Sequence, residues 1–181
     1  LICDDRSEKN PARFYTAKIL ITQNVIDSVA LTDVRYMLQP NGEVYPDNKH
    51  NRFKTPDPEA IRYNLQNNYL VWSSEGERIV KANDTVLTHP SVLIIEPNGK
   101  YIDSFALPTA LKMNASENGP RRNGVFEGIS FADNYKTLYV SVEEPLYEDG
   151  QRADVVDNDA FIRIIKFDVT DKKATYQYAY K

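Results

Sequence analysis

The sequence predicts an all-β fold, part of a β-propeller built from four-stranded antiparallel blades, and three observations carry that expectation. The first is an internal repeat: Pro58 to Arg78, PEAIRYNLQNNYLVWSSEGER, aligns without a gap on Phe126 to Leu146, FEGISFADNYKTLYVSVEEPL. Glu59 falls on Glu127, Ile61 on Ile129, Leu70 on Leu138, Ser73 on Ser141 and Glu75 on Glu143, five identities in 21 positions, where roughly one or two would match by chance. The second is turn chemistry between β-rich runs, above all the Asn-Gly step between SVLIIE and YIDSFAL, a strong short-range hairpin signal. The third is that no segment keeps a helical period over three turns. Four-stranded units in tandem are the signature of a propeller, whereas a β-sandwich would not predict an internal repeat.

Leu1 to Arg6, LICDDR, reads as the end of a second strand, apolar and then acidic like VWSSEGE and YVSVEEP. Ala12 to Ile21 and Ser28 to Leu38 read as the two outer strands of that incomplete unit. From Gln39 to Asp57 the prolines and polar residues predict a surface loop. The repeated hairpin follows, then a polar stretch to Pro90, then Ser91 to Glu96 and Tyr101 to Leu107 as an outer pair. One short helix is expected at Leu107 to Met113, with Pro108 in its first turn. After a loop rich in Asn, Gly and Pro comes the second copy of the hairpin, and Ala160 to Val169 with Ala174 to Tyr180 close the chain as a last outer pair. Residues 1–57 thus form an incomplete blade and linker, 58–124 a second blade and loop, and 125–181 a third blade. The repeat offset of 68 residues exceeds the usual blade length of about 40 to 50, an excess assigned to long loops. Because the chain opens inside a strand, it is expected to be part of a longer one, with unpaired strands or an exposed apolar face at both terminal units.

Composition excludes several classes. A chain of 181 residues with 41% hydrophobic and 27% charged residues is ordinary for a globular domain. No apolar run approaches a membrane span. A net charge of −4 with both signs mixed argues against a nucleic-acid surface, which needs clustered Lys and Arg. Cys3 is the single cysteine, so no internal disulfide or Cys-rich zinc site exists. His50, with no His or Cys nearby, reads as solvated. Nucleophile elbows, HExxH helices, Walker loops and CxxC pairs are absent. The twelve tyrosines read as strand filler, and the Asn83 and Asn114 sequons matter only where the source glycosylates.

The chemistry points to the acids. In a meander, the start of the innermost strand and the finish of the next share one rim, so Glu59 with Glu75, and Glu127 with Glu143 and Glu144, should meet there, joined by Asp4 and Asp5. Converging carboxylates raise one another's pKa unless a cation lies among them. Arg6, Arg78, Arg121 and Arg122 are expected on the same rim. Oxygen-only ligands suit Ca²⁺ or Mg²⁺ rather than zinc, with Glu59, Glu75, Glu127, Glu143, Asp4 and Asp5 as candidate ligands. The bland reading is that these acids cap strand ends and solvate loops. The loop from Glu148 to Asp159, with five more acids, reads as solvated.

The opening DDRS with PARFY, DPEAIRY with WSSEGE, and NGVFEGISF with LYVSVEEPL together resemble the phytase-like family of bacterial propeller proteins, the esterase-like activity of phytase. The likeness spans nearly the whole chain. It departs at Glu59-Ala60, where the family pattern has Glu-Gly, a change Ala accommodates wherever φ is negative. The resemblance implies a six-bladed propeller when complete, its remaining blades being the partner of this segment, and an exported protein, periplasmic or at the cell surface. It also implies a small-molecule substrate and Ca²⁺-dependent hydrolysis of phosphate esters, with Glu59, Glu127, Arg6 and Arg122 as the catalytic set and Arg121 as an alternative phosphate clamp. A non-catalytic propeller that binds a ligand or protein partner on the same rim, its acids serving as structural Ca²⁺ ligands, is the alternative.

Overall fold

The computed structural model describes residues 1–153 and 159–181. Its elements in chain order are β1 (Arg13–Thr22), β2 (Val25–Tyr36), a single helical turn α1 (Asn48–Asn51), β3 (Pro58–Asn64), β4 (Tyr69–Ser74), β5 (Glu77–Lys81), β6 (Asp84–Thr88), β7 (Ser91–Ile95) and β8 (Tyr101–Ser104), a 3₁₀ turn at Thr109–Leu111, and β9 (Phe126–Ala132), β10 (Thr137–Val142), β11 (Ile162–Asp168) and β12 (Lys173–Tyr180). Both ends of β9 and β10 lie 68 residues after those of β3 and β4, the offset of the repeat. Register repeats as well: Ile61 faces Trp72 and Tyr63 faces Leu70, as Ile129 faces Val140 and Phe131 faces Leu138.

Turn chemistry explains the reversals. The Asn64 side chain accepts the N–H groups of Gln66 and Asn67, and Asn68 takes φ +52°. In the second copy Asp133, Asn134 and Tyr135 all have positive φ, and the Asp133 carboxylate accepts the Thr137 hydroxyl at 2.7 Å. Asn and Asp tolerate this region because their side chains bond locally.

The fold is all-β, with two four-stranded antiparallel sheets in the orders β3-β4-β7-β8 and β9-β10-β11-β12. Strand alternation sends Ala60, Val71, Val92 and Ile94 to one face of the first sheet, where they pack against Ile129, Leu138, Val140, Ile165 and Phe167 of the other. The opposite face presents Trp72, Ile95, Ile61, Leu70 and Leu93 to Ala12, Phe14, Met37 and Ile2 of the N-terminal unit. The middle sheet is therefore apolar on both sides. Trp72 is fully buried, with the Tyr45 ring edge-on at 6.0 Å.

In the N-terminal unit Ile2 bridges Phe14, and Cys3 and Leu1 exchange backbone bonds with Arg13 and Tyr15, so the opening residues do pair alongside β1. Phe14 points to the middle sheet. The other face of the β1–β2 hairpin carries the facing pairs Tyr15–Val34, Ala17–Leu31, Ile19–Val29 and Ile21–Ile26, and its large aliphatic residues are exposed. At the far side of the molecule Tyr176, Tyr178 and Tyr180 of β12 are likewise exposed. Both outer layers present an uncovered apolar face, as expected.

Three expectations are corrected. The polar stretch to Pro90 contains the hairpin β5–β6, a separate two-stranded sheet, so the long offset in the middle unit comes from an inserted hairpin rather than loops alone. The segment read as a surface loop, 39–57, holds α1 with Asp47 as its N-cap and ends in buried Thr55 and Asp57. The helix expected at Leu107 to Met113 is a single 3₁₀ turn, because Lys112 already returns to extended backbone. The departure at Ala60 also has a structural basis. A Cβ on Gly128 would meet the Ser141 hydroxyl at 2.6 Å. Ala60, its counterpart, keeps its Cβ where β3 and β4 slip register between Pro58 and Ile61, and the Ser73 hydroxyl accepts the Ala60 N–H.

Candidate functional site

Glu59 and Glu127 are the second residues of β3 and β9, and Glu75 and Glu143 follow the last residues of β4 and β10. Antiparallel pairing returns each second strand beside the start of the first. The Glu75 N–H donates to the Asp57 carbonyl at 3.0 Å, and the Glu143 N–H to the Val125 carbonyl at 2.7 Å, so the closure repeats at the same offset. The Glu75 carboxylate then crosses between sheets: one oxygen accepts the Gly124 and Val125 N–H groups at 2.8 and 2.6 Å.

The result is a cleft of about 510 Å³ lined by Asp4, Asp5, Arg6, Glu8, Lys9, Asp57, Glu59, Glu75, Asn123, Glu127 and Glu143. Carboxylate oxygens of Asp4, Asp57 and Glu59 lie within 4.8 Å of one another, and so do those of Glu75, Glu127 and Glu143. Two like charges at that distance repel by about 3 kcal/mol at an effective dielectric near 20. The protonation equilibria record the strain. Burial, and after it the charges of Asp57, Asp4, Glu127 and Glu75, push Glu59 up to about 9. Burial pushes Asp57 to about 6 despite the Arg6 guanidinium. Glu75 is raised by burial although its two N–H bonds oppose the shift, and burial together with Glu143 raises Glu127. Glu143 is raised by burial and by Glu144.

Five of the six expected metal ligands, Asp4, Glu59, Glu75, Glu127 and Glu143, fall in these two groups. Asp5 lines the cleft but its carboxylate is turned to Arg13, 2.8 Å away. Asp57, which completes the first group, has no signal in the repeat, since its counterpart is Val125. The cations differ from expectation. Arg6 enters the cleft, with Nε 2.8 Å from Asp57 Oδ2, a second nitrogen 3.2 Å from Glu77 and the third on Asn123. Burial disfavours its charge, but Asp57 and Glu77 outweigh that and raise its pKa. Arg122 pairs with both oxygens of Glu77, at 2.8 and 3.3 Å, and does not line the cleft. Arg78 donates to the carbonyls of Asn114, Ala115 and Ser116, and Arg121 to that of Pro145. Both stack on Tyr147, away from the acids. Lys9 is a cleft cation that sequence reasoning missed.

Other expectations resolve simply. Glu144 is held by Arg152 and the Ala153 N–H. In the loop from Glu148 to Asp159, Glu148 receives the Gly119 N–H and Asp149 pairs with Arg163, so these two acids brace the loop; Asp154 and Asp157 lie outside the described residues. His50 is exposed and bonds Asp47. Cys3 is partly buried, and burial raises its thiol pKa.

The residues fit a hard divalent cation. All donors are oxygens, eight acids line the cleft with Arg6 and Lys9 as its cations among the described residues, and Asp57 Oδ2, though 2.8 Å from Arg6 Nε, is buried with no hydrogen bond of good geometry from the described residues. Among known families, the model described as Phytase-like: Esterase-like activity of phytase matches residues 1–181. No curated protein matches this chain.

Proposed function

This chain belongs to the phytase-like family, the esterase-like activity of phytase, and from that premise we propose that the cleft hydrolyses phosphate esters of small molecules with Ca²⁺ held by its two carboxylate groups. The observation that carries the reading is the convergence of those two groups in one cleft that Arg6 and Lys9 also line. Asp4, Asp57 and Glu59 would hold one ion, and Glu75, Glu127 and Glu143 a second. A cation bound there supplies Lewis-acid polarisation of a phosphoryl oxygen and acidifies bound water. The chain does the rest by placement. The Gly124 and Val125 N–H groups fix the rotamer of Glu75, so its second oxygen is oriented without further ordering. Glu59 keeps its proton at neutral pH in the cation-free cleft, so cation binding and proton release from its carboxyl are linked. Arg6, tethered by Asp57 and Glu77, offers a fixed guanidinium to a phosphoryl oxygen.

The same reading makes the stacked sheets blades of a propeller, six when complete, with the uncovered outer faces meeting further blades. It also assigns the protein to the periplasm or the cell surface, which cell fractionation tests.

Hydrolysis of 4-nitrophenyl phosphate and 4-nitrophenyl acetate, each with Ca²⁺ and with chelator, tests the activity. Phosphate-ester turnover that needs Ca²⁺ and falls at least tenfold in Arg6→Gln is expected. Calcium binding without turnover of either ester would instead favour a ligand-binding propeller with structural metal sites.

A further inference from the structure

The acidic pair at the start of the chain, Asp4-Asp5, looks redundant in sequence, yet the two side chains part company. Asp4 faces the cleft with Asp57 and Glu59. Asp5 turns away, its Oδ1 accepting the Ser7 N–H at 3.0 Å and its Oδ2 lying 2.8 Å from an Arg13 nitrogen. Arg13 is buried, and the rest of its guanidinium is also committed: it donates to the carbonyls of Asn10 and Pro11 at 3.2 and 3.3 Å, and its Nε to the Tyr15 hydroxyl at 2.7 Å. One side chain thereby ties both ends of the loop that carries Asp4 and Arg6 into the cleft. That loop needs tying. Arg6 and Ser7 both sit in the left-handed region, at φ +50° and +51°, a conformation that residues with a Cβ keep only where surrounding structure imposes it. Ser7 is fully buried, with its hydroxyl on the Pro56 carbonyl, one residue from Asp57.

We infer that Asp5 and Arg13 form a clamp whose role is to hold the strained loop so that Asp4 meets Asp57 and Glu59 while Arg6 points into the cleft. Asp5 is thus a positioning residue rather than a metal ligand, and Arg13 is its partner. The inference rests on the cation-binding reading above. It concerns only the Asp4, Asp57 and Glu59 group, because Glu75, Glu127 and Glu143 are set by strands β4, β9 and β10 and by backbone N–H groups that the clamp does not touch.

Calorimetric titration with Ca²⁺ of the wild type, Arg13→Gln, Arg13→Lys, Asp5→Asn and Asp4→Asn decides it, with thermal unfolding as a check that each variant is folded. Residues that orient metal ligands are worth about 10- to 100-fold in affinity. Arg13→Gln should therefore weaken one class of site by at least tenfold and leave the other within about twofold. Arg13→Lys should fall in between, since an ammonium can pair with Asp5 but cannot span both carbonyls and the Tyr15 hydroxyl. If Asp5 were itself a ligand, removing Arg13 would free it. Unchanged or tighter binding in Arg13→Gln, with Asp5→Asn as damaging as Asp4→Asn, overturns the clamp alone. Should Arg13→Gln fail to fold, wild-type affinity in both Arg13→Lys and Asp5→Asn overturns it as well. Absence of Ca²⁺ binding in the wild type overturns the proposed function and the clamp with it.

Discussion

Replacing Glu59 by Gln should make the cation-free protein more stable at neutral pH, an advantage that the cation-loaded protein loses. The Glu59 carboxyl is pushed from its ordinary 4.5 up to about 9, so between those values the folded protein holds a proton that the unfolded chain has released. Its contribution to stability is then whole below pH 4.5 and is lost as pH rises toward 9. Each pH unit above the unfolded value costs about 1.4 kcal/mol. The ceiling at pH 7 is about 3 kcal/mol, and screening at the open mouth of the cleft reduces it to about 1 to 2 kcal/mol. A glutamine side chain is neutral in both states and escapes that cost, which for a chain of this length raises the unfolding temperature by about 3 to 6 °C. With Ca²⁺ present that gain is offset: one ligand charge is gone, and a tenfold weaker affinity removes about 1.4 kcal/mol of linked stabilisation, which brings the variant level with wild type. Thermal unfolding of wild type and Glu59→Gln at pH 4.5 and pH 7.5, in chelator and in Ca²⁺, gives the four comparisons needed. Curves that differ equally at both pH values in chelator, or a variant less stable than wild type there, would refute the account of a strained carboxylate cluster.

Three further outcomes follow from the same geometry. Glu127→Gln should weaken Ca²⁺ binding about tenfold by calorimetry while Glu117→Gln, on an exposed loop outside the cleft, leaves it unchanged; Glu148 would be a poor control because it braces Gly119. Trp72→Ala should cost about 3 to 5 kcal/mol in denaturant unfolding, the usual loss for a large aromatic in a core. Trp72→Phe should cost far less than that, because it keeps a ring and removes an indole N–H that is buried without a partner among the described residues. Gly76→Ala should destabilise by more than about 2 kcal/mol, since φ is +76° and a Cβ would stand 2.1 Å from the Thr88 carbonyl oxygen. The same change should weaken binding at Arg6 through the displaced Glu77, seen as a raised KM for the phosphate ester.

What the sequence made legible was whatever the repeat doubled. Glu59, Glu75, Glu127 and Glu143 were found because two copies agreed on them, and the strands that carry them begin and end at the expected offset. Asp57 escaped because its place in the other copy is taken by Val125, and because its flanking prolines read as loop. Asp5 and Asp4 are the same residue type side by side, and only the position of Arg13, eight residues after Asp5, decides which one faces the cleft. Charge alone misplaced Arg78 and Arg121: nearness in sequence to the rim does not tell whether a guanidinium finds carboxylates or, as here, backbone carbonyls and the Tyr147 ring. The β5–β6 hairpin was hidden because its short strands bury few side chains, Val86 alone being fully buried, which leaves little period to read.

The hydrogen bonds that run from Gly124 and Val125 to the Glu75 carboxylate carry a consequence for how the molecule reaches its native state. They join residues 49 and 50 positions apart, and the acids they organise span the chain from Asp4 to Glu143. No local hairpin can form the cleft by itself; it comes into being only after two separately closed sheets have docked. Contacts of such sequence separation form late, after the entropy of closing the intervening loops has been overcome. In a refolding experiment the change in Trp72 fluorescence, which reports burial against the N-terminal residues, should therefore precede or accompany the acquisition of cation affinity by the Asp4, Asp57 and Glu59 group and never trail it.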